Sequence, residues 1–160
     1  MKNNTVIAIA LTSVAVTASI GFACLAGCAK KTTRQTAVGY LDQEETTPIV
    51  TTIDTSDGYS CEFVRGAIYL YDEEIHEDTA AVAMGISLPK DVFEDYIQEA
   101  EADPNHKIIK DGVMYSSDGQ MVYLVKVSED SYFGVFADNV NTNEMEKIID
   151  RITVKPDTVV

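Results

Sequence analysis

Runs of β-branched and aromatic residues separated by short polar turns fill residues 108–137, and this alternation constrains the fold more than any other feature of the chain. The separators are Asp111-Gly112, Ser117-Asp118-Gly119-Gln120 and Ser128-Glu129-Asp130. Asp and Gly accept the backbone angles of tight turns, while Val, Ile, Tyr and Phe suit a pleated, half-buried surface. The spacing predicts an antiparallel meander with strands over 108–116, 121–127 and 132–137. Two further strands are expected over 59–64 and 67–71, joined by a tight turn at Arg65-Gly66.

In 80–88, Val82, Met84, Ile86 and Leu88 alternate with Ala81, Ala83, Gly85 and Ser87. Such a strand is covered on both sides, with something packed closely against its Ala/Gly face. A helix or a ligand cavity would each satisfy that requirement. Pro89 then suits the first turn of a helix. Val92, Phe93, Tyr96, Ile97 and Ala100 make one apolar stripe, and this helix should stop before Asp103-Pro104. A second helix is expected from Asn141, where Glu144 completes a capping box and Met145, Ile148, Ile149 and Ile152 form the stripe. A short strand at Thr153-Val154 follows. The whole reads as an α+β fold, an antiparallel sheet of about six to seven short strands with two amphipathic helices laid on one face.

The N-terminal segment belongs to targeting. Lys2 precedes an uncharged run over 5–27, rich in Val, Ile, Ala, Leu, Ser and Thr, that leads into Leu25-Ala26-Gly27-Cys28. This ending resembles a bacterial lipoprotein signal, in which a Cys after small residues is lipidated and the chain is cut just before it. Cys24 does not match, because Gly21 and Phe22 occupy the corresponding upstream positions. The resemblance implies cleavage between Gly27 and Cys28, a diacylglyceryl group on Cys28, and a place on the extracytoplasmic side of the cell membrane. Two acyl chains anchor stably where one does not. An uncleaved membrane helix is the alternative, since about 20 apolar residues span a bilayer. Against it, Lys30, Lys31 and Arg34 would compete with Lys2 for the cytoplasmic side.

The expected organisation is a signal peptide over 1–27, a lipid-anchored linker over 28–50 and a single domain over 51–160. The linker is rich in Thr and polar residues without a sustained period, and reads as a flexible tether reaching about 25 Å. Its Lys30, Lys31 and Arg34 either gain from nearby anionic lipid or are ordinary solvated charges.

The formal charge of −14, from 12 Lys and Arg against 26 Asp and Glu, excludes nucleic acid as a partner, because binding phosphates needs concentrated cations. Such acidity serves solubility and standoff from an anionic envelope. With Cys24 in the leader and Cys28 in the anchor, Cys61 alone remains, so no disulfide forms within the domain. Alternation places Cys61 with Tyr59 and Phe63, and no neighbouring base lowers its pKa, which describes a buried, inert thiol.

The densest polar stretch is Asp72-Glu73-Glu74-Ile75-His76-Glu77-Asp78. Its carboxylates offer oxygen ligands to a hard cation, and His76 offers nitrogen to a transition metal. The spacing matches no calcium loop, and a solvated acidic loop is the competing reading. His106 reads as a turn residue. The chain has no Gly-x-Ser-x-Gly elbow, phosphate loop, zinc Cys pair or zincin motif, and no cofactor is expected.

The Gly58-Tyr59-Ser60-x-Glu62-Phe63 opening, the central helix, the meander and the closing Met145-x-x-Ile148-Ile149-x-x-Ile152-Thr153-Val154 resemble PsbP-like domains of some bacterial lipoproteins, over residues 53–156. That resemblance implies a compact layered αβ fold without an established catalytic centre. The expected function is a non-enzymatic, membrane-anchored module that binds an envelope protein or a small ligand. The alternative is a metal-assisted hydrolase or cation-binding protein centred on His76 and its acidic neighbours. A two-lobed solute-binding component is disfavoured by size.

Overall fold

The computed structural model describes residues 30–35, 46–64, 66–72 and 81–157. In chain order the elements are β1 (Lys30–Gln35), β2 (Ile49–Asp54), β3 (Tyr59–Val64), β4 (Ala67–Asp72), β5 (Ala83–Leu88) and α1 (Lys90–Ala102). They continue as β6 (Lys107–Ile109), β7 (Gly112–Ser117), β8 (Gln120–Lys126), β9 (Tyr132–Asp138), α2 (Thr142–Arg151) and β10 (Ile152–Pro156). Seven strands form one antiparallel sheet, ordered β3-β4-β5-β9-β8-β7-β6, and β1-β2-β10 form a separate antiparallel sheet of three. This is the α+β architecture that the alternation predicts.

Helix α1 carries the chain from β5 to the far edge at β6, and the meander β6-β7-β8-β9 returns to pair with β5. Paired residues with positive φ make two of its turns, Lys110 and Asp111 at 46° and 63°, then Asp118 and Gly119 at 50° and 85°, the combination that suits strand twist. The first turn falls one residue before the expected Asp111-Gly112. Gly112 stays in β7 because the Tyr123 ring lies across it, and a Cβ there would come within 2.5 Å of both that ring and the Leu124 carbonyl oxygen. Helix α1 starts at Lys90, with Pro89 just outside it, and ends at Ala102 as Asp103-Pro104 requires. Helix α2 has the expected capping box: Asn141 Oδ1 accepts from the Glu144 amide at 3.1 Å, and Glu144 Oε2 accepts from the Asn141 amide at 2.7 Å.

The helices do not share a face of the sheet, contrary to expectation. Met121, Tyr123, Phe133, Val135 and Ala137 pack with Met145, Ile148 and Ile149 of α2 and with Ile49 and Ile53 of β2. Val122, Leu124, Tyr132 and Phe136 pack on the opposite face with Phe93 and Ala100 of α1. Strands β8 and β9 are apolar on both sides, so each side needs its own cover. The molecule is layered: α1, then the large sheet, then a layer shared by α2 and the small sheet.

Strand β5 is covered on both sides, and its small-residue face, through Ala83, shares a core with Met145, Ile148 and Ile149 of α2. The Phe133 ring from neighbouring β9 fills it, and a Cβ on Gly85 would lie 2.7 Å from Phe133 Cζ.

Part of the expected linker is also strand. Residues Lys30–Gln35 pair with β2 from Lys30↔Asp54 to Gln35↔Ile49, and β2 itself begins at Ile49, before the expected boundary at 51. Six polar residues without apolar alternation carry no strand signal of their own; the ladder to β2 and a 3.0 Å contact between the Thr32 and Thr52 hydroxyls hold them.

Candidate functional site

Of the residues expected to carry function, Gly27, Cys28, Glu73, Glu74, His76, Glu77 and Asp78 lie outside the described residues. Asp72 is described. It closes β4 opposite Tyr59 and hydrogen-bonds the Tyr59 hydroxyl. Burial, the Asp72 charge and this bond hold the Tyr59 phenol above the usual tyrosine value. Among the described residues no three His, Cys, Asp or Glu side chains gather to hold a metal ion, and no helix is long and apolar enough to cross a membrane.

Cys61 is buried in the core between the sheets. Its expected companion Tyr59 packs against that core, whereas Phe63 is 37% exposed because the end of β3 runs past it. His106 sits in the turn after α1 with Nδ1 2.8 Å from the Asp103 carbonyl oxygen, and Asp103 Oδ1 accepts from the Asn105 amide at 2.8 Å. Both are structural placements.

The densest hydrogen-bond network joins the loop between β8 and β9 to the chain just before β2. The Thr47 amide and hydroxyl donate to Asp130 Oδ2 at 3.0 and 2.8 Å. Ser131 Oγ donates to the Thr47 carbonyl at 2.7 Å, and Ser128 Oγ lies 2.9 Å from Asp130 Oδ1. The bonds from Thr47 and Ser128 keep the Asp130 carboxyl below its usual range. Two serines beside an aspartate invite a nucleophile reading, but the buried Ser131 hydroxyl is committed to a main-chain oxygen. The cluster clasps residues 46–48 to the domain. Sequence reasoning took the same residues for a plain turn, because the partner Thr47 is 83 residues away from Asp130.

A second group lies between α1 and the large sheet. The Tyr115 hydroxyl donates to Glu99 Oε2 at 3.3 Å, which gives that acid near the C-terminal end of α1 a partner. Burial first, and then the Glu99 charge, push the Tyr115 and Tyr96 phenols up. Both tyrosines therefore stay protonated and uncharged at neutral pH, as donors and not as bases.

Charge divides between the outer layers. Helix α1, KDVFEDYIQEAEA, carries five acids and one lysine. The small sheet has four basic residues, Lys30, Lys31, Arg34 and Lys155, against the single acid Asp54. In the adjoining helix, Glu146 pairs with Lys107 at 3.2 Å and Asp150 with Lys110 at 2.9 Å. An acidic protein thus has one layer in which its negative charges are matched or outnumbered. Compared with protein-family models, with curated proteins and with solved structures, the chain finds no match, and its role must be read from its own residues.

Proposed function

We propose that the protein is a lipid-anchored envelope protein on the extracytoplasmic side of the membrane, working as a non-enzymatic module that binds an envelope protein or a small ligand. The observation that carries this reading is Leu25-Ala26-Gly27-Cys28 at the end of an uncharged run. The module half is supported by how the described side chains of chemical potential are used. Cys61 is in the core, His106 holds a turn, and Asp130 and Ser131 fasten a loop.

Mass spectrometry of the full chain made in a bacterium tests the anchor. The expected product begins at Cys28 with a diacylglyceryl group, and Cys28→Ser abolishes that processing. An intact Met1 on the wild-type product overturns it. For the module half, His76→Ala combined with chelation should leave partner capture and melting temperature unchanged; loss of a metal-dependent turnover would favour the hydrolase.

A further inference from the structure

The large sheet is covered unevenly on its α1 side. The side chains that α1 meets belong to β7 and β9: Tyr115 bonds Glu99, and the Tyr132 and Phe136 rings lie against Phe93 and Tyr96 with centroids 4.6 and 5.3 Å apart. Register gives what lies beyond them on the same face. Phe136 pairs with Met84, Met84 with Tyr69 and Tyr69 with Glu62, so one row of side chains runs out from under α1 to the edge strand β3. Alternation puts Tyr71 of β4 and Val64 of β3 on that face too. Glu62 and Val64 are exposed, and both tyrosines are half-buried.

At the end of the row a carboxylate stands beside two aromatic rings. Directly opposed residues of an antiparallel pair have Cβ atoms about 5 Å apart, which puts Glu62 next to Tyr69. The Tyr71 hydroxyl reaches the same carboxylate, 3.5 Å from Glu62 Oε2. Tyr69 and Tyr71 are two positions apart on one strand, so their side chains are rooted about 7 Å from each other. A flat group needs about 3.5 Å on each side to touch both rings, and that gap admits one. Among the described residues no lysine or arginine pairs with Glu62.

We infer that Glu62, Tyr69 and Tyr71 form a binding site for an arginine side chain presented by a partner protein. Such a site gives the module of the proposed function its partner chemistry, and it rests on that reading. A guanidinium offers its faces to the two rings and its forked N–H groups to the carboxylate, so all three residues act on one group. A lysine ammonium lacks the flat faces. The surroundings favour a polypeptide over a free cation, because Val64, Met84 and Ile86 continue the face as an apolar strip for the residues that flank the arginine. Charge favours a basic partner as well. Helix α1 carries five acids against one lysine, and adding Arg65, between β3 and β4 in the sequence, leaves the balance negative.

The test is a nuclear magnetic resonance titration of the full chain in detergent micelles with a metal chelator present, reading the Tyr69 and Tyr71 rings and the Val64 and Met84 methyls. The probes are N-acetyl-arginine-N-methylamide, its lysine counterpart and the peptide acetyl-Val-Arg-Val-amide. The arginine probe should move both rings saturably, and the lysine probe should bind about threefold more weakly. Glu62→Gln should weaken arginine binding about fivefold, Tyr69→Leu or Tyr71→Leu about threefold each, and Tyr71→Phe, which keeps the ring, less than about twofold. The peptide should bind about threefold tighter than the single residue and move Val64 and Met84. Glu62 is exposed, so its substitution leaves the fold intact, as unchanged amide dispersion would verify. Binding that ignores Glu62→Gln, or that falls as far with Asp95→Asn on α1, overturns the site. A peptide no tighter than the single residue overturns the protein partner. Failure of the module reading has a separate signature, a turnover lost with chelation or with His76→Ala, on which these titrations do not depend.

Discussion

The guanidinium carbon of Arg151 lies 4.0 Å from the centre of the Tyr59 ring, at the junction of α2 and β3. From there Nη1 donates to the Ser56 carbonyl at 2.7 Å and Nη2 to Asp57 Oδ2 at 3.2 Å. One side chain at the last turn of α2 thus holds the turn Ser56-Asp57-Gly58-Tyr59 that leads the chain from the small sheet into the large one. Arg151→Ala should cost about 2 kcal/mol, through the lost ring contact and the weakened support of the Ser56 carbonyl. Arg151→Lys should recover the charge but not the forked geometry, and cost about 1 kcal/mol. Urea midpoints at unchanged m-value measure both, and equal stability of the two variants would contradict this account.

Three glycines should rank by what a methyl group meets. At Gly112 it would lie 2.5 Å from the Leu124 main-chain oxygen, which cannot move without breaking the sheet. Gly112→Ala should cost about 3 kcal/mol or prevent folding. Gly85→Ala meets the Phe133 ring at 2.7 Å, which can shift a little, for a cost of about 2 kcal/mol. Gly119→Ala meets nothing within 4 Å but inherits a φ of +85°, for about 1 kcal/mol. Thermal unfolding of the series tests the order.

Burial, aided by the Asp111 charge, pushes the Tyr123 phenol up to about 12. Burial and Glu99 likewise raise Tyr115. A raised folded-state value means the native form holds these protons more tightly than the unfolded chain. Their contribution is complete below about pH 10 and is lost as pH rises toward the folded value, about 2 kcal/mol by about pH 12 for Tyr123 alone. Tyr123→Phe should remove part of that alkaline loss, while costing about 1 kcal/mol at neutral pH through its bond to the Lys110 carbonyl. Unfolding free energies across the window test the slope; a flat profile in the wild type refutes it.

Thr51 is fully buried on the inner face of β2, and its Oγ1 is the buried side-chain polar atom that has no hydrogen-bond partner among the described residues. Thr51→Val keeps the shape and removes the desolvated hydroxyl, so it should stabilise the domain by about 1 kcal/mol. A rise in melting temperature is expected. A fall would mean that the hydroxyl has a partner such as water.

Local signals made much of the fold legible. Turn residues with positive φ at Asp118-Gly119, the capping box at Asn141 and the stripe of Met145, Ile148 and Ile149 each act within a few residues, and each is found where expected. What escaped depends on distant partners. Val122 and Tyr123 are both buried, so alternation in β8 cannot say which helix covers which side. The small sheet joins β2 to β10, about a hundred residues further along the chain, and its edge strand is Lys-Lys-Thr-Thr-Arg-Gln, which reads as linker by composition. The candidate site was less legible: Ser128 and Asp130 read as a turn, because Thr47, which bonds Asp130, lies 83 residues away.

Strand β1 occupies an outer edge and, among the described residues, pairs with β2 alone, with its first residue, Lys30, at the end of the ladder opposite Asp54. A pull on the chain from the N-terminal side would therefore open that ladder like a zipper, one pair at a time, instead of shearing all pairs at once. Six residues of slack, about 20 Å when drawn straight, would pay out before tension reached β2, which is gripped on its other side by β10. The body would have a built-in fuse, yielding at its weakest seam and leaving the seven-stranded sheet intact.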